Sequence, residues 1–447
     1  MTREVLVMQT GQCGNQLGSR LWDTALQDHA SMARTDTSGT VVKFDRGMNV
    51  MFRNVDHRTG YPLQLGDPVS TFKARAVLID MENGVIDSIL RSPLGELFTQ
   101  PQIVTDVSGS GNNWATGYMH YGACYGERII EAFRTQLECC DCVDSVFFLQ
   151  SLSGGTGSGL GSYLVERVAD LIPKVNRLVI PVFPSVTDNV VTAPYNAILS
   201  MRSLLDHANV VIAVDNDSLF NHEYHSSVPL ERKGKYLENP YDPANAIVAR
   251  MVQAITTGVR HGGETVAFPS DIKVLTCGNK KFLSPILYMF SDTVTKSRRP
   301  LTMEAACSGR LSERYRLVRS IQDGAYASSG YFYVGQQQLN SVLHTMNGLK
   351  SRCDLVGCTS TNLISGSNFL QLSNCTSFHT MLSGISNNVS QLFKRKAHLH
   401  HYLEFIEREY LAEAVESLKG LVCDYRTLQQ EIYDPAKNLT KTLIIRK

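Results

Sequence analysis

The sequence predicts an α/β protein whose centre is a parallel sheet covered by helices on both faces. Two observations predict it. Short apolar runs without polar alternation recur along the first half of the chain, as expected of strands buried on both sides. Each run is followed by a polar or glycine-bearing turn and then by apolar residues at helical spacing.

The elements follow in order. Residues 5–8 read as a first strand feeding Thr10-Gly11-Gln12-Cys13-Gly14-Asn15-Gln16 and a helix that carries Leu17, Leu21 and Leu26. The polar stretch 31–54 reads as a long surface excursion. Residues 76–79 form a strand that ends in Asp80-Met81-Glu82. The turn Ser108-Gly109-Ser110-Gly111-Asn112-Asn113-Trp114 opens a helix with Tyr118, Tyr121, Ile129, Phe133 and Leu137 on it. Strand 146–149 leads into Ser151-Leu152-Ser153-Gly154-Gly155-Thr156-Gly157-Ser158-Gly159-Leu160-Gly161 and a helix with Leu164, Val168 and Leu171. Strands at 178–183 and 210–214 flank a helix near 195–207, and another helix covers 242–258. A second α/β region runs to about residue 375, with strands at 330–334 and 363–372. The tail is helical. Leu411, Ala414, Val415, Leu418, Leu421, Val422 and Tyr425 make one apolar stripe, which reads as packing onto the body.

Three glycine-bearing turns and one acidic pair thus follow strands, and in a parallel sheet those strand ends share one edge, where such folds bind ligands. A strand, a glycine loop and a helix start together present bare N–H groups and a positive dipole end to an anion. Thr156 and Ser158 add hydroxyl donors. The shared physics is a polyphosphate held by backbone, with a carboxylate near a divalent cation. Neither GxGxxG nor GK[ST] occurs in these loops, which excludes the two common nucleotide motifs and, with them, a Rossmann-type dehydrogenase.

Composition narrows the classes further. The chain has 447 residues, 43% hydrophobic and 19% charged, with a net charge of +1. This length suits roughly two or three domains. No basic excess is present to neutralise nucleic-acid phosphates, so no nucleic-acid partner is expected. No apolar run reaches membrane-spanning length and the first residues lack a signal-peptide pattern, so a soluble intracellular protein with no membrane partner is expected. The 11 cysteines, with one cluster at Cys139-Cys140-Asp141-Cys142, read as reduced structural thiols rather than a metal site.

With these residues in view, the chain resembles the tubulin superfamily. Residues 153–159 (SGGTGSG) fit the signature loop, 11–16 (GQCGNQ) the first loop and 111–114 (GNNW) the third. Pro194-Tyr195-Asn196 and Lys394-Arg395-Lys396-Ala397 are further matches. Within the superfamily, 74–82 (ARAVLIDME), 108–115 (SGSGNNWA), 193–199 (APYNAIL) and 396–403 (KAHLHHYL) look more like the epsilon branch than like alpha or beta chains.

The resemblance implies a Rossmann-like guanine-nucleotide-binding domain over 1–241 and a core helix over 242–258. It further implies a smaller α/β domain over 259–375, and a C-terminal helical hairpin with a short tail over 376–447. It implies GTP or GDP with Mg²⁺ as ligands. Gly11, Gln12 and Cys13 would lie against the nucleotide and Gln16 near the base. Gly111 and Asn112 would close the pocket. Ser151, Gly154, Gly155, Thr156, Gly157 and Ser158 would hold phosphates, and Glu82 would approach the metal. Tyr241 matches the aromatic that stacks on guanine, and Asn245 the amide that reads it, since an amide can address O6 and N1–H together. Without the family, Tyr241 and Asn245 read as a helix start with a capping amide. For the epsilon branch the implied role lies at centrioles or basal bodies, microtubule-organising parts of the cytoplasmic cytoskeleton, in doublet and triplet microtubule organisation. Delta-tubulin, alpha and beta chains, and centriolar or basal-body proteins are the implied partners.

The departures bear on mechanism. The ribose-side Glu of alpha and beta chains is replaced at Ala193, with Asp188 and Asn189 just upstream, and the family's second guanine-side Asn falls on His207. Between Gly263 and Val266 most of a loop and helix that touch the next subunit's nucleotide is missing, leaving Glu264 as the acid there. Asp271 is an alternative with a shorter side chain, and an error of about 1 Å can cost on the order of a hundredfold in rate. No catalytic residue is assigned. Two readings follow: a GTP-binding subunit with little intrinsic hydrolysis, or an active GTPase that polymerises as a conventional microtubule subunit, its site completed on assembly. The C-terminal residues 442–447 (TLIIRK) are basic and apolar where alpha and beta chains carry acidic tails, so electrostatic partners of the ordinary microtubule surface should bind poorly.

Overall fold

The computed structural model describes residues 2–35, 41–185, 190–225, 239–262, 266–290, 312–319, 325–335, 355–360 and 367–433. Its frame is an eleven-stranded sheet. The first half comprises β1 (Glu4–Thr10), β4 (Ala76–Asp80), β5 (Ile103–Thr105), β6 (Val143–Ser151), β7 (Asn176–Phe183), β8 (Val210–Ile212) and β9 (Val214–Asp215). The second half comprises β10 (Phe282–Met289), β11 (Tyr326–Gly335), β12 (Leu355–Ser360) and β13 (Asn368–Cys375). The order is β12-β11-β13-β10-β8-β7-β6-β1-β4-β5, with β9 paired to β7.

Every pairing within the first half is parallel, so its strand C-termini share an edge. Alternate residues enter opposite cores because successive strand side chains point to opposite faces. Leu6, Met8, Val146 and Phe148 pack with the helices Gly122–Glu138, Gly161–Leu171 and Ala193–His207. Val5, Val7, Phe147 and Leu149 pack with the helices Gly11–Thr35, Asn83–Arg91 and Asp242–His261. Both faces are covered, which is why β1 is buried at every position and residues 5–8 within it read as an unbroken apolar run.

The second half joins through a narrow seam, since β10 pairs with β8 only at Phe282–Val211 and Leu283–Ile212. Beyond it β13 runs antiparallel to β10 and β11, and β12 parallel to β11. The helices Phe378–Lys394 and Arg408–Tyr433 pack on each other and on Ala193–His207. The predicted stripe from Leu411 to Tyr425 is buried along its length, so it does face the body.

Several expectations change. The first helix continues to Thr35, and the end of the supposed excursion enters β2 (Phe52–Val55), which pairs antiparallel with β3 (Thr71–Ala74) further along the chain. The 210–214 strand divides at Ala213 into β8, which pairs with both β7 and β10, and β9, which pairs with β7. The core helix continues to His261 and stops at Gly262, whose φ of +72° favours glycine. β5, β10 and β12 escaped the sequence reading, and residues 363–366 of the strand read at 363–372 lie outside the described residues. Asp188, Asn189, Glu264 and the 434–447 tail lie outside the described residues.

Candidate functional site

Four turns meet at the C-terminal edge of β1, β4, β5 and β6. After β1 the chain turns at Gly11 with φ +75°, and a Cβ there would stand 3.0 Å from the Gly157 nitrogen. A Cβ on Gly157 would in turn stand 3.0 Å from the Ser151 nitrogen and oxygen. These contacts are tighter than nine in ten that real Cβ atoms make, so glycine is what lets the first and signature loops lie backbone against backbone without a shift. Asn15 completes the turn by donating to the carbonyls of Gly11 and Ile79, each at 3.0 Å.

The stretch from Gly109 to Asn112 holds three left-handed residues, Gly109, Gly111 and Asn112, at φ +64°, +56° and +54°. Gly155 leaves room for it, since a Cβ there would meet the Asn113 nitrogen at 2.6 Å. Ser110 and Thr156 join the two loops through their hydroxyls at 2.9 Å. Both loops then enter their helices through π-helical turns, Thr116–Tyr121 and Thr156–Leu160. Such turns are rare and recur at functional sites. Ser158 is wholly buried and donates to the Gly154 carbonyl, so its hydroxyl shapes the loop from within.

One buried side chain, absent from the sequence-derived site, ties these loops together. Asn196 donates to the carbonyls of Asn112 at 2.9 Å and Ser153 at 2.7 Å. Its amide oxygen accepts from the Trp114 nitrogen at 2.8 Å and the Tyr402 hydroxyl at 2.6 Å. Thr192 adds a bond to the Asn112 carbonyl at 2.8 Å, and Tyr195 reaches the Ala397 carbonyl at 3.0 Å. The matched segments around Pro194 and Lys396 thus meet behind the pocket. Their spacing in sequence gave no sign of this.

Acidity concentrates at one point. Glu82 stands at the N-cap position of the helix Asn83–Arg91 without a side-chain capping bond, and its carboxylate lies against Gly109, where a Cβ would meet it closer than real Cβ atoms come. Burial, and then the Glu82 charge, push the Asp80 carboxyl up to about 7. One Asp80 oxygen is buried without a hydrogen-bond partner. Two facing carboxylates with an unsatisfied oxygen fit a divalent cation, which would reverse that shift. Burial raises the Cys13 thiol to about 12, so it packs as a neutral group rather than acting as a thiolate.

At the start of the core helix, Tyr241 is 44% exposed with its ring 5.8 Å from Phe220. Asn245 is 7% exposed, and its amide nitrogen is buried without a partner. A half-exposed aromatic beside an unsatisfied buried amide is a costly arrangement in an empty protein and fits a stacked, hydrogen-bonding base. Arg20 fixes the spot by a two-pronged ion pair with Asp242, bringing the helix that carries Gln12 and Gln16 against it.

His207 is not brought to this site. It ends the helix whose first residue, Ala193, faces the loops, and 15 residues span about 22 Å. Its carbonyl accepts from Arg177 at 2.7 Å near the start of β7, on the opposite edge. The expectation for His207 is therefore corrected. A residue that precedes a strand of a parallel sheet lies at the wrong end, as the order of elements alone could have revealed. The amide on the correct edge is Asn216, which follows β9 directly.

The fold and these turns define a GTPase domain of the tubulin type. Residues 4–223 match the Tubulin/FtsZ family, GTPase domain. The chain belongs to the tubulin family. It is 34% identical to a protein named tubulin epsilon chain from Mus musculus, covering 96% of each chain. It is 33% identical to the tubulin epsilon chain of Homo sapiens, over 99% of this chain and 100% of that one. Identity to a tubulin beta chain of Trichophyton rubrum is 26%, over 96% and 95%. Among the described residues no helix is long and apolar enough to cross a membrane.

Proposed function

We propose that this protein is a cytoskeletal subunit that holds GTP or GDP with Mg²⁺ and acts, like the epsilon branch it resembles, in centriole or basal-body assembly. The observation that carries the nucleotide reading is the glycine-on-glycine cradle of Gly11 and Gly157, to which the unsatisfied Asn245 amide adds a base-reading group. The backbone of Gly11, Gln12, Gly111, Asn112 and 154–158 would receive the phosphates. Glu82, with Asp80, would hold the metal, which supplies charge neutralisation where no lysine stands in these loops. Tyr241 and Asn245 would take the base, with Gln16 and Asn216 in place of His207 at its edge. The relatives' names, tubulin epsilon and tubulin beta chain, support a tubulin-type subunit with other tubulins as partners; the centriolar role and a partnership with delta-tubulin rest on the resemblance to the epsilon branch.

Little intrinsic hydrolysis is expected. The core helix ends at His261, and only residues 263–265 separate Gly262 from Val266 in the sequence, where the family has a loop and a helix. Asp271 is engaged in its own turn, accepting from the Phe268 nitrogen at 2.9 Å. The test is the base released when purified protein is denatured. Stoichiometric GTP supports the proposal, GDP moves it to an active GTPase, and an empty site in folded protein refutes nucleotide binding. Tagged protein that fails to concentrate at centrioles or basal bodies refutes the cellular role.

A further inference from the structure

A second cavity of about 850 Å³ opens beside the start of the Ala193–His207 helix, between the helices Asn216–His225 and Phe378–Lys394. None of the glycine turns lines it, nor do Tyr241 or Asn245. One wall is apolar, formed by Val190, Val191, Val318, Met381 and Ile385. Two arginines, Arg316 and Arg319, line it as well. Their situations differ. Arg319 pairs with Asp215 at 3.6 Å and Asp217 at 3.5 Å. Arg316 keeps only 9% of its accessible surface, and among the described residues its side-chain partners are two neutral hydroxyls, Ser284 at 3.5 Å and Tyr326 at 3.3 Å. A guanidinium this buried is normally matched by a carboxylate, because desolvating an uncompensated charge is costly. Here the charge borders a cavity of the size that small ligands fill.

We propose that this cavity is a binding site for a small amphipathic carboxylate, its anionic head on Arg316 and its apolar body on the valine, methionine and isoleucine wall. The occupant would supply the missing counter-charge through charge-assisted hydrogen bonds, the stronger kind. It would also rest against Ala193 and Pro194, at the root of the helix that carries Asn196, so that binding there would bear on the loops which Asn196 ties together.

Octanoate and octanol serve as probes, titrated calorimetrically into the full-length protein as purified. They share an apolar body and differ in the charge. Octanoate should bind one saturable site at least about tenfold more tightly than octanol. Arg316→Gln should remove that preference. A second variant guards against misfolding of the first. Gly384 lies on the helix lining the cavity, and a Cβ added there meets nothing within 4 Å, so Gly384→Trp should fill the space and abolish octanoate binding in folded protein. Equal affinities, undetectable octanoate binding, or binding unchanged in folded Gly384→Trp would overturn the proposal. So would competitive displacement of octanoate by GTP, which would place the probe in the nucleotide pocket.

Discussion

Acidification should weaken this fold through two histidines far from the nucleotide edge. His29 and His261 pack at 4.9 Å between ring centroids, where the first helix crosses the end of the core helix. Between them and the protein interior lies Arg260, buried and paired with Asp28 at 3.4 Å. Burial first, then the Arg260 charge, lower His29 from 6.5 to about 3. Burial, Arg260 and then His29 lower His261 to about 2. Both rings are therefore neutral in the folded protein, whereas the unfolded chain takes up a proton on each below about pH 6.5. Depressed folded values mean stability that is present above 6.5 and lost as pH falls. From pH 7.5 to 5.5 the unfolded state gains roughly 1.4 kcal/mol per histidine, or about 2.7 kcal/mol for the pair. Both folded values lie so far below 5.5 that neither ring takes up a proton in the folded protein over this interval. Urea unfolding followed by Trp22 fluorescence, at fixed saturating nucleotide, measures it. The double variant His29→Gln, His261→Gln should lose about 2.7 kcal/mol less than wild type over the same interval. If the two proteins show parallel pH dependence, the buried-imidazole reasoning is wrong.

Other expectations follow from the site. Gly157→Ala should abolish nucleotide retention and lower stability by about 1–3 kcal/mol, since its Cβ has no space beside Ser151; melting and base release check both. Asn196→Ala leaves two carbonyls and two donors unanswered, and should cost about 2–4 kcal/mol in urea unfolding while loosening nucleotide. Asn245→Ala should weaken GTP binding by about tenfold or more in equilibrium dialysis, and His207→Ala should not change it. Equal losses from those two would refute the placement of the base.

Apart from β5, the first half of the sheet was legible in the sequence because its strands are buried on both faces and each ends in a distinctive turn. The loops at Gly11, Gly111 and Gly154 could be placed for the same reason. Legibility fell where structure depends on distant partners. β2, at the end of polar 31–54, and β3, further along, stabilise each other across an antiparallel pairing that needs no run of apolar residues. Asn196 looks like any helical amide until Tyr402, more than 200 residues on, delivers its hydroxyl. His207 failed for another reason. A resemblance aligned one residue at a time ignored the direction of the strand that follows it, and direction decides which edge a residue can reach.

The two-residue seam between β8 and β10 has a mechanical consequence. So few ladder bonds resist bending weakly, and the stiffness across that line must come from packed helices, among them Asp242–His261, which touches β11, β12 and β13 on one side and the first helix on the other. That helix is anchored at Arg260 and carries Asn245 about 22 Å away. A strut held at one end and loaded at the other transmits tilt. Flexure of the sheet about the seam should therefore be felt first at the base end of the pocket, and occupancy of that end should stiffen the whole subunit.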